Sequence, residues 1–471
     1  MNEYRWTEKG AECIPLKVVA AKDHYMPSRS ALFDWESWVA LPAYTLVFLM
    51  VVFPSVAITL SYIKVFLFAV ILATVGIAIL KSGQTGLHPA VALWTFSLSA
   101  LSCLFALEGF FAGAPGAGRT GQVYCIWPII YGLVIAGVRS KRILLGVIRA
   151  LTVSTICIGI FSIVYLLIQT NILPENRLFD LISFDSDQQV FGLGEGYIHM
   201  QFPGINSLPF LVPFSLAALA TCLPRILGVP SLRRVWLWAA VFLSLTTVLL
   251  SARRALYLVT LTAPFLTLLF VSFQPMVERR LSRKALLRVT ASGVLAAVVS
   301  LAWLSAVSDT TLSGLADRFS VGFDFSPTSE DHGASERREQ FHALLAGWME
   351  NPILGAGHGS PAFGSIRSPE SPWNYELYYL ALLYQTGLLG FTAYAAGIFW
   401  IYWMGVRVIR AGGYLSALMV ACLVGMSSLL VATASNPYLV RFDGIWTIFL
   451  PLALINFWFL RRARPCGSAL A

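Results

Sequence analysis

The chain has 471 residues, of which 57% are hydrophobic and only 12% are charged. An ordinary soluble domain carries roughly 25% charged residues, so this composition excludes a soluble enzyme and a secreted domain. The net charge of +9 lies mainly in the segments that connect apolar runs. No polar segment combines a basic stripe with interleaved aromatic residues, and we therefore predict no binding to nucleic acid.

Long apolar runs follow one another along the chain and predict an all-α integral membrane protein with about twelve transmembrane helices. Each run is long enough to cross the ~30 Å hydrocarbon core of a bilayer. In chain order, the predicted spans are 38–60, 63–80, 89–111, 122–138, 143–170, 206–223, 235–250, 255–273, 288–307, 376–405, 414–434 and 443–460. The junctions at 61–63 and 251–254 are tight, so counts of eleven and thirteen spans stay open.

The basic residues between these spans predict the orientation of the chain. If the N-terminus is cytoplasmic, the inner segments hold about twice as many Lys and Arg residues as the outer segments, as the positive-inside rule requires. Residues 1–37 then form a cytoplasmic tail that lacks the features of a cleaved signal, and residues 461–471 form a second cytoplasmic tail. The first nine spans occupy 38–307, and the last three occupy 376–460.

Two predicted outer loops are longer than a simple connection between helices needs. The loop at 171–205 carries the acidic residues Glu175, Asp180, Asp185, Asp187 and Glu195. The loop at 308–375 shows a helical pattern at 335–350, followed by turns rich in Gly and Pro. Loops beyond about 15 residues are usually functional or disordered. We therefore expect 308–375 to be a large, partly helical extracytoplasmic loop that forms a folded cap.

Two arginine pairs lie on the predicted outer side, where arginine is disfavoured. Arg253 and Arg254 lie in the tight turn of LLSARRALYL, and Arg337 and Arg338 lie on the predicted helix of ASERREQFHALL. Guanidinium groups bind phosphate oxygens bidentately and stay charged at any relevant pH. The pairs therefore indicate a site for a lipid-linked phosphate or diphosphate. Two simpler explanations stay open: the arginines extend to lipid headgroups, or they pair with nearby loop carboxylates.

Glu376 is the second unusual charge on the outer side. It opens ELYYLALLYQTGLLGF at the outer end of the predicted span 376–405. A carboxylate at this position can cap the N-terminus of the helix, and it can also serve as a general base. Both interpretations stay open at this point.

The histidines and cysteines show no metal-binding pattern. None of the six histidines forms an HExxH motif or an i, i+4 pair, and the seven cysteines are scattered without CxxC spacing. We therefore predict no metal site and no cofactor. His358 lies in the turn GAGHGS, for which a surface position is a simpler expectation than a catalytic one. The segment at 112–121, GAPGAGRTGQ, lacks the GKS/T ending of a phosphate-binding loop.

Four local patterns between about 200 and 460 together resemble one superfamily of bacterial envelope proteins, the O-antigen ligases and Wzy-type O-antigen polymerases. LLSARRALYL is similar to a serine–arginine turn, with Arg253 at the arginine position. SERREQFHALLAGWMENPILGAGHGS is similar to an arginine, here Arg337 or Arg338, followed by an amphipathic helix and a Pro-x-x-Gly-x-Gly turn. ELYYLALLYQTGLLG resembles a helix with a Gly-Leu-Leu-Gly step, and ATASNPYLVRFDGIWTIFLPLAL resembles the closing loop and final helix.

The resemblance implies a metal-independent glycosyltransferase of the bacterial inner membrane that acts on its periplasmic side. Such proteins take a glycan from undecaprenyl diphosphate and pass it to a hydroxyl of an acceptor glycan or of the lipid A core. The outer arginines would then stabilise the diphosphate, and Glu376 would be the base. The resemblance assigns substrate binding to Arg254, Tyr379 and Trp373. Aromatic side chains at this depth either stack on sugars or form an interfacial belt, and the further candidates are Trp348, Tyr375 and Tyr378.

One departure from the family pattern bears on the reaction. Glu376 occupies the position where ligases of the family have histidine, which favours a polymerase of O-antigen or exopolysaccharide. A ligase to lipid A core and a lipid-linked glycan flippase or transporter are the alternatives. A flippase places charge near the midplane of broken helices, whereas these arginines lie at one face. The expected partners are the lipid-linked donor, the acceptor, membrane lipid and a chain-length regulator protein.

Overall fold

The computed structural model describes residues 35–54, 58–174, 190–194, 197–221, 234–308, 311–314, 316, 332–363 and 371–463. The chain divides into two compact units, Met1–Trp35 and Glu36–Ala471, and only Trp35 of the first is described. The predicted tails at 1–37 and 461–471 therefore lie outside the described residues, apart from 35–37 and 461–463. The five acidic residues of the predicted loop at 171–205 lie outside them as well.

The described residues are almost entirely helical. The first helices are α1 (Trp35–Val52), α2 (Ile58–Ser82), α3 (Pro89–Phe111), α4 (Ala117–Gly121), α5 (Trp127–Ala136), α6 (Lys141–Gln169) and α7 (Leu208–Ala220). The later helices are α8 (Arg234–Ser251), α9 (Arg254–Val271), α10 (Met276–Ser308), α11 (His332–Glu350), α12 (Tyr378–Arg410), α13 (Gly413–Thr433) and α14 (Trp446–Ala463). The helix predicted at 335–350 is thus present as α11 within the second long loop.

A short hairpin and two irregular turns complete these elements. Strand β1 (Val190–Gly194) pairs antiparallel with β2 (Tyr197–Gln201), and the hairpin leads into a 3₁₀ turn at Pro203–Ser207 that opens α7. A π-helical turn at Gln122–Ile126 joins α4 to α5. The predicted span 122–138 therefore begins with a π-helical turn, and Pro128 in the first turn of α5 has no N–H for the carbonyl four residues earlier.

Eight helices in the described part of the chain are long and apolar enough to cross a bilayer. They are Leu60–Lys81, Pro89–Phe111, Lys141–Gln169, Arg234–Ser251, Arg254–Val271, Met276–Val307, Tyr378–Arg410 and Gly413–Thr433. Trp38–Val52 and Gly204–Ala220 are apolar but shorter. The predicted all-α membrane fold is confirmed, whereas the predicted count of twelve spans is not.

The boundary between the first two spans differs from the prediction. The sequence placed the junction at 61–63, next to Lys64, but α2 runs through these residues. The observed break follows Val52 at Phe53 and Pro54, where proline disfavours the helical conformation of the residue before it. The cation of Lys64 is compatible with the interior of α2 because it has a buried anionic partner.

The centre of the bundle is formed by α13 and α7. Helix α13 is buried over most of its length, at 17 of its 21 residues, and it contacts α7, α9, α12 and α14. Every residue of the 13-residue helix α7 is buried, so this helix is surrounded by protein although it is too short to span a bilayer. Gly425 of α13 lies against the Phe210 backbone of α7, which lets the two helix axes approach closely.

Contacts along α13 define the two ends of the bundle. Gln274, just after α9, donates a hydrogen bond to Ser416 near the start of α13 at 3.3 Å, so α9 and α13 run antiparallel. The Tyr379 hydroxyl at the start of α12 donates to the Leu430 carbonyl at the other end of α13, at 2.6 Å. The start of α9, the end of α13 and the start of α12 therefore share one end. We call this the Glu376 end and the opposite one the Arg410 end.

A buried ion pair joins α2 to the segment before α14 at the Glu376 end. The Lys64 ammonium lies 2.9 Å from the Asp443 carboxylate and donates to the Phe53 carbonyl at 2.6 Å. Both charged side chains are almost fully buried, with exposures of 0% and 3%. Partners 379 positions apart in the chain are thus held together by an interaction that water does not screen.

Asp443→Asn should destabilise the protein by about 3–5 kcal/mol, because it leaves the Lys64 cation buried without an anion. Thermal unfolding of the purified protein in detergent measures this change. The double variant Lys64→Met/Asp443→Leu is the control, and it should unfold near the wild-type temperature because both charges are removed together. An Asp443→Asn variant as stable as wild type would contradict the assignment of the pair as a structural tie.

Candidate functional site

An ion pair between Arg337 and Glu376 lies at the end of the bundle named for the glutamate. The Arg337 Nε lies 2.7 Å from Glu376 Oε2, and the side chains are 33% and 12% exposed. The two atoms are not aligned for a hydrogen bond, so the attraction is that of an ion pair. Arg337 therefore has a distant carboxylate as its partner, on the segment that leads into α12.

Helix α11 holds the Glu376 segment with a second contact. The Gln340 side chain, one turn after Arg337, accepts a hydrogen bond from the Glu376 N–H at 2.8 Å. Residues three apart on a helix share a face, so one face of α11 contacts both the backbone and the carboxylate of Glu376. Sequence reasoning missed Gln340, and its only signal was its spacing from Arg337. Arg338 lies about 100° further round α11 and is half-buried.

Arg253 lies at the same end of the bundle in the turn between α8 and α9. Its guanidinium donates to the Asn206 side-chain oxygen at 2.7 Å, and its backbone is extended at the N-cap of α9. The preceding Ala252 has φ of 46°, which makes this turn sharp. Arg253 forms no ion pair with Glu376 among the described residues. Asn206 was not predicted, because a single polar residue before an apolar helix carries no specific signal.

The aromatic residues predicted to bind sugar divide into two groups. Tyr375 and Tyr378 are buried, and their hydroxyls accept hydrogen bonds from the Ala362 N–H and from Tyr124. They are therefore packing residues, and of the alternatives that the sequence left open, their burial disfavours stacking on sugars. Trp373 and Tyr379 are half-buried, and sugar binding by these two stays a prediction.

The other proposed substrate residues have the following positions. The Trp373 ring lies directly over Gly116, beside the start of α4. Trp348 donates its indole N–H to the Pro352 carbonyl at 3.1 Å, just past the end of α11. Arg254 opens α9 and is half-buried.

His358 is fully buried, so the prediction of a surface position was wrong. Its Nε2 lies 3.1 Å from the Tyr394 hydroxyl, and its Nδ1 lies 3.5 Å from the amide oxygen of Gln385. The ring stacks on Tyr124, with 5.1 Å between centroids. Desolvation lowers the pKa of His358 to about 4. The imidazole is therefore neutral at neutral pH and links the loop to α12.

The loop that carries His358 docks on α12 where that helix is interrupted. Gly387 has φ of 58°, and this break removes the helical partners of the next N–H groups. The N–H groups of Leu388 and Leu389 donate instead to the carbonyls of Pro352 and Ile353, at 2.9 and 3.1 Å. These two N–H groups thus bind carbonyls from the turn after α11.

The same loop also contacts α3. The His358 N–H donates to the Phe105 carbonyl at 2.9 Å. A Cβ on Gly357 would lie 2.3 Å from the backbone nitrogen of Gly109, and the φ of Gly357 is +83°. Only glycine fits both the space and the conformation. The loop is therefore held between α3 and α12, and this fixes the position of α11 relative to the start of α12.

Comparison with known proteins agrees with the sequence patterns. Residues 239–395 match the family model described as O-antigen ligase. The predicted resemblance to the superfamily of O-antigen ligases and Wzy-type polymerases is confirmed. No curated protein matches the chain.

The O-antigen ligase match contains all the charged residues predicted for the site. It begins within α8 and ends within α12, so it includes both arginine pairs, Glu376 and the docked loop. The match supports glycan transfer of the O-antigen ligase or polymerase type. Among the described residues, no group of three or more His, Cys, Asp or Glu side chains is arranged to hold a metal ion.

Gly357→Ala should destabilise the loop, because the new Cβ meets the α3 backbone and the backbone has φ of +83°. The backbone strain alone should lower the free energy of unfolding by about 1–3 kcal/mol. Thermal unfolding in detergent measures the loss. The control is Gly118→Ala, since Gly118 lies on α4 with open space around it. Equal stability of the two variants would refute the close docking of this loop.

The buried His358 should make stability depend on pH. Its pKa is lowered from 6.5 to about 4 by desolvation, so the unfolded chain binds a proton that the folded chain does not. Stability should be highest above pH 6.5 and should fall by up to roughly 3 kcal/mol as the pH decreases towards 4. Unfolding temperatures between pH 7.5 and 4.5 test this. His358→Gln should lose this part of the pH dependence, whereas the exposed-site control His342→Gln should retain it.

Proposed function

We propose that this protein transfers a glycan from undecaprenyl diphosphate to a hydroxyl of an acceptor glycan, as an O-antigen or exopolysaccharide polymerase. The observation that carries the proposal is the Arg337–Glu376 ion pair within a chain that matches the O-antigen ligase family. The pair combines a cation suited to a diphosphate with a carboxylate suited to proton transfer.

The proposed orientation places the Glu376 end at the periplasmic face of a bacterial inner membrane. The excess of Lys and Arg on the opposite side supports this orientation through the positive-inside rule. Both termini are then cytoplasmic, and 308–375 is a periplasmic loop that covers the site. Undecaprenyl diphosphate places its charged group at the membrane surface, at the depth where Arg337 and Arg253 lie.

Fixed positive charge carries the first part of the proposed mechanism. Negative charge develops on the diphosphate as its bond to the anomeric carbon breaks. Preorganised cations next to the developing charge stabilise this transition state, so the reaction needs no metal ion in this proposal. Arg337 is our candidate for the contact, because its side chain is one-third exposed although its carboxylate partner is buried. Arg253 adds a second guanidinium at the same end.

Glu376 carries the second part of the mechanism as the general base. In the resting structure the Arg337 cation holds its carboxylate. A bound diphosphate competes for the same guanidinium and releases the carboxylate. Glu376 then takes the proton from the acceptor hydroxyl, whose oxygen bonds to the anomeric carbon while undecaprenyl diphosphate leaves. Donor binding thus activates the base that the next step needs.

A ligase is the second candidate function. The family model that matches the chain is described as O-antigen ligase, and this favours transfer of finished polymer to the lipid A core. The glutamate at 376, where ligases of the family have histidine, favours the polymerase. The two functions differ in the acceptor, so the products made in cells distinguish them.

A charge reversal of the pair tests the proposed roles. In a deletion strain, Arg337→Ala and Glu376→Gln should each reduce long-chain polysaccharide on gels, with rates about 10²–10³-fold below wild type. The swap Arg337→Glu/Glu376→Arg keeps an ion pair but reverses its direction, and it should remain inactive although it reaches the membrane. The control Glu339→Gln removes an exposed carboxylate of the same helix and should be active. Activity of the swap would show that the pair is only structural.

The products in the deletion strain decide between the functions. Single repeat units on the acceptor indicate a polymerase, and polymer retained on the lipid carrier indicates a ligase. Lipid-linked units that stay on the cytoplasmic face would indicate a transporter and would overturn the proposed enzyme.

A further inference from the structure

A cavity of about 350 Å³ lies at the Arg410 end, between the last turns of α12 and α14. Its lining residues are Arg407, Arg410, Ala411, Trp458 and Arg462. Three guanidinium groups from two helices thus surround one space. The cavity therefore lies at the opposite end of the 33-residue helix α12 from the Arg337–Glu376 pair.

Stacking on tryptophan positions two of these guanidinium groups. The Arg407 guanidinium carbon lies 4.2 Å from the centre of the Trp403 ring, and that of Arg462 lies 4.3 Å from the centre of the Trp458 ring. A guanidinium stacked through its face keeps its N–H edge available for an anion. No carboxylate among the described residues lies within ion-pair distance of the three arginines.

The balance of charge favours an anion in this cavity. The C-terminal ends of α12 and α14 each contribute roughly half a negative charge from their helix dipoles. The three arginines contribute three full positive charges, and the Glu278 carboxylate, which accepts a hydrogen bond from the Gly413 N–H just past α12, contributes one negative charge. A net positive charge of about one therefore remains. An anionic group of one charge is thus matched to the cavity, and phosphate oxygens fit the guanidinium edges.

The surface next to the cavity is apolar along α12. Phe399 and Trp403 are 69% and 50% exposed, and they precede Arg407 at intervals of four residues on the same face. The face thus presents apolar rings towards the bilayer centre and guanidinium groups at its surface. This order matches a phospholipid, whose acyl chains lie below its phosphate.

We propose that the cavity binds the phosphodiester headgroup of an anionic phospholipid of the inner leaflet, with the acyl chains along Phe399 and Trp403. The bound lipid connects the last turns of α12 and α14 and stabilises the bundle at this end. The site is independent of the proposed glycan transfer, because it lies at the opposite end and uses different arginines.

Thermal unfolding of the full chain in detergent tests this site. Phosphatidylglycerol should raise the unfolding temperature of the wild type by about 3 °C or more, whereas phosphatidylethanolamine and inorganic phosphate should not. The variant Arg407→Gln/Arg410→Gln/Arg462→Gln should lose the shift. The control Arg280→Gln/Arg283→Gln/Arg288→Gln removes the same charge from exposed positions of α10 and should keep it.

Other outcomes overturn the proposal. Equal loss of the shift in both triple variants would show that surface charge alone attracts the lipid, and a shift that survives in the cavity variant would place the lipid elsewhere. An equal shift with inorganic phosphate would identify a free-phosphate site. Ala411→Glu, an exposed substitution that keeps all three arginines, adds a carboxylate at the cavity and should also abolish the shift if the cavity variant does not fold.

Discussion

The break in α12 at Gly387 determines how the rest of the Glu376 end is arranged. Within an apolar bundle each backbone N–H needs a partner, because an unpaired one costs several kcal/mol. The groups after Gly387 bind carbonyls of the turn that follows α11, so this turn and α12 form one hydrogen-bonded unit. Helix α11 then has one position relative to the start of α12. The contact between Arg337 and Glu376 is a consequence of this docking.

The two ion pairs at the Glu376 end, Lys64–Asp443 and Arg337–Glu376, differ in burial and therefore in their expected roles. Lys64 and Asp443 are excluded from water. Separating them would leave a buried charge without a partner, so the pair stays formed in the folded protein. Arg337 is one-third exposed, and its contact with Glu376 lacks hydrogen-bond geometry. In the proposed function a phosphate oxygen replaces this contact on the exposed part of the guanidinium. The fully buried pair thus suits a structural role, and the partly exposed pair is the one that we propose as a ligand site.

Arginines at the two ends are held by different partners, although both groups suit phosphate. At the Glu376 end a carboxylate neutralises Arg337. At the Arg410 end tryptophan rings orient the guanidinium groups without neutralising them. In the proposed function the first arrangement couples donor binding to release of a base, whereas the second leaves a positive charge without a carboxylate partner among the described residues. We propose that the first arrangement binds a reacting donor and that the second binds a resident lipid.

The sequence by itself determined the membrane class, most helices, the presence of α11 and the positions of both arginine pairs and Glu376 near helix ends. These features follow from local composition and period, which need no distant partner. Only the tertiary structure decided that α2 continues past 61–63, that His358 is buried, that Tyr375 and Tyr378 are packing residues and that Glu376 is the partner of Arg337. Each of these depends on a group far away in the chain, such as Asp443 for Lys64, that satisfies a charge or polar atom. Local patterns show that a polar group must be satisfied, but only the packing of helices shows by what.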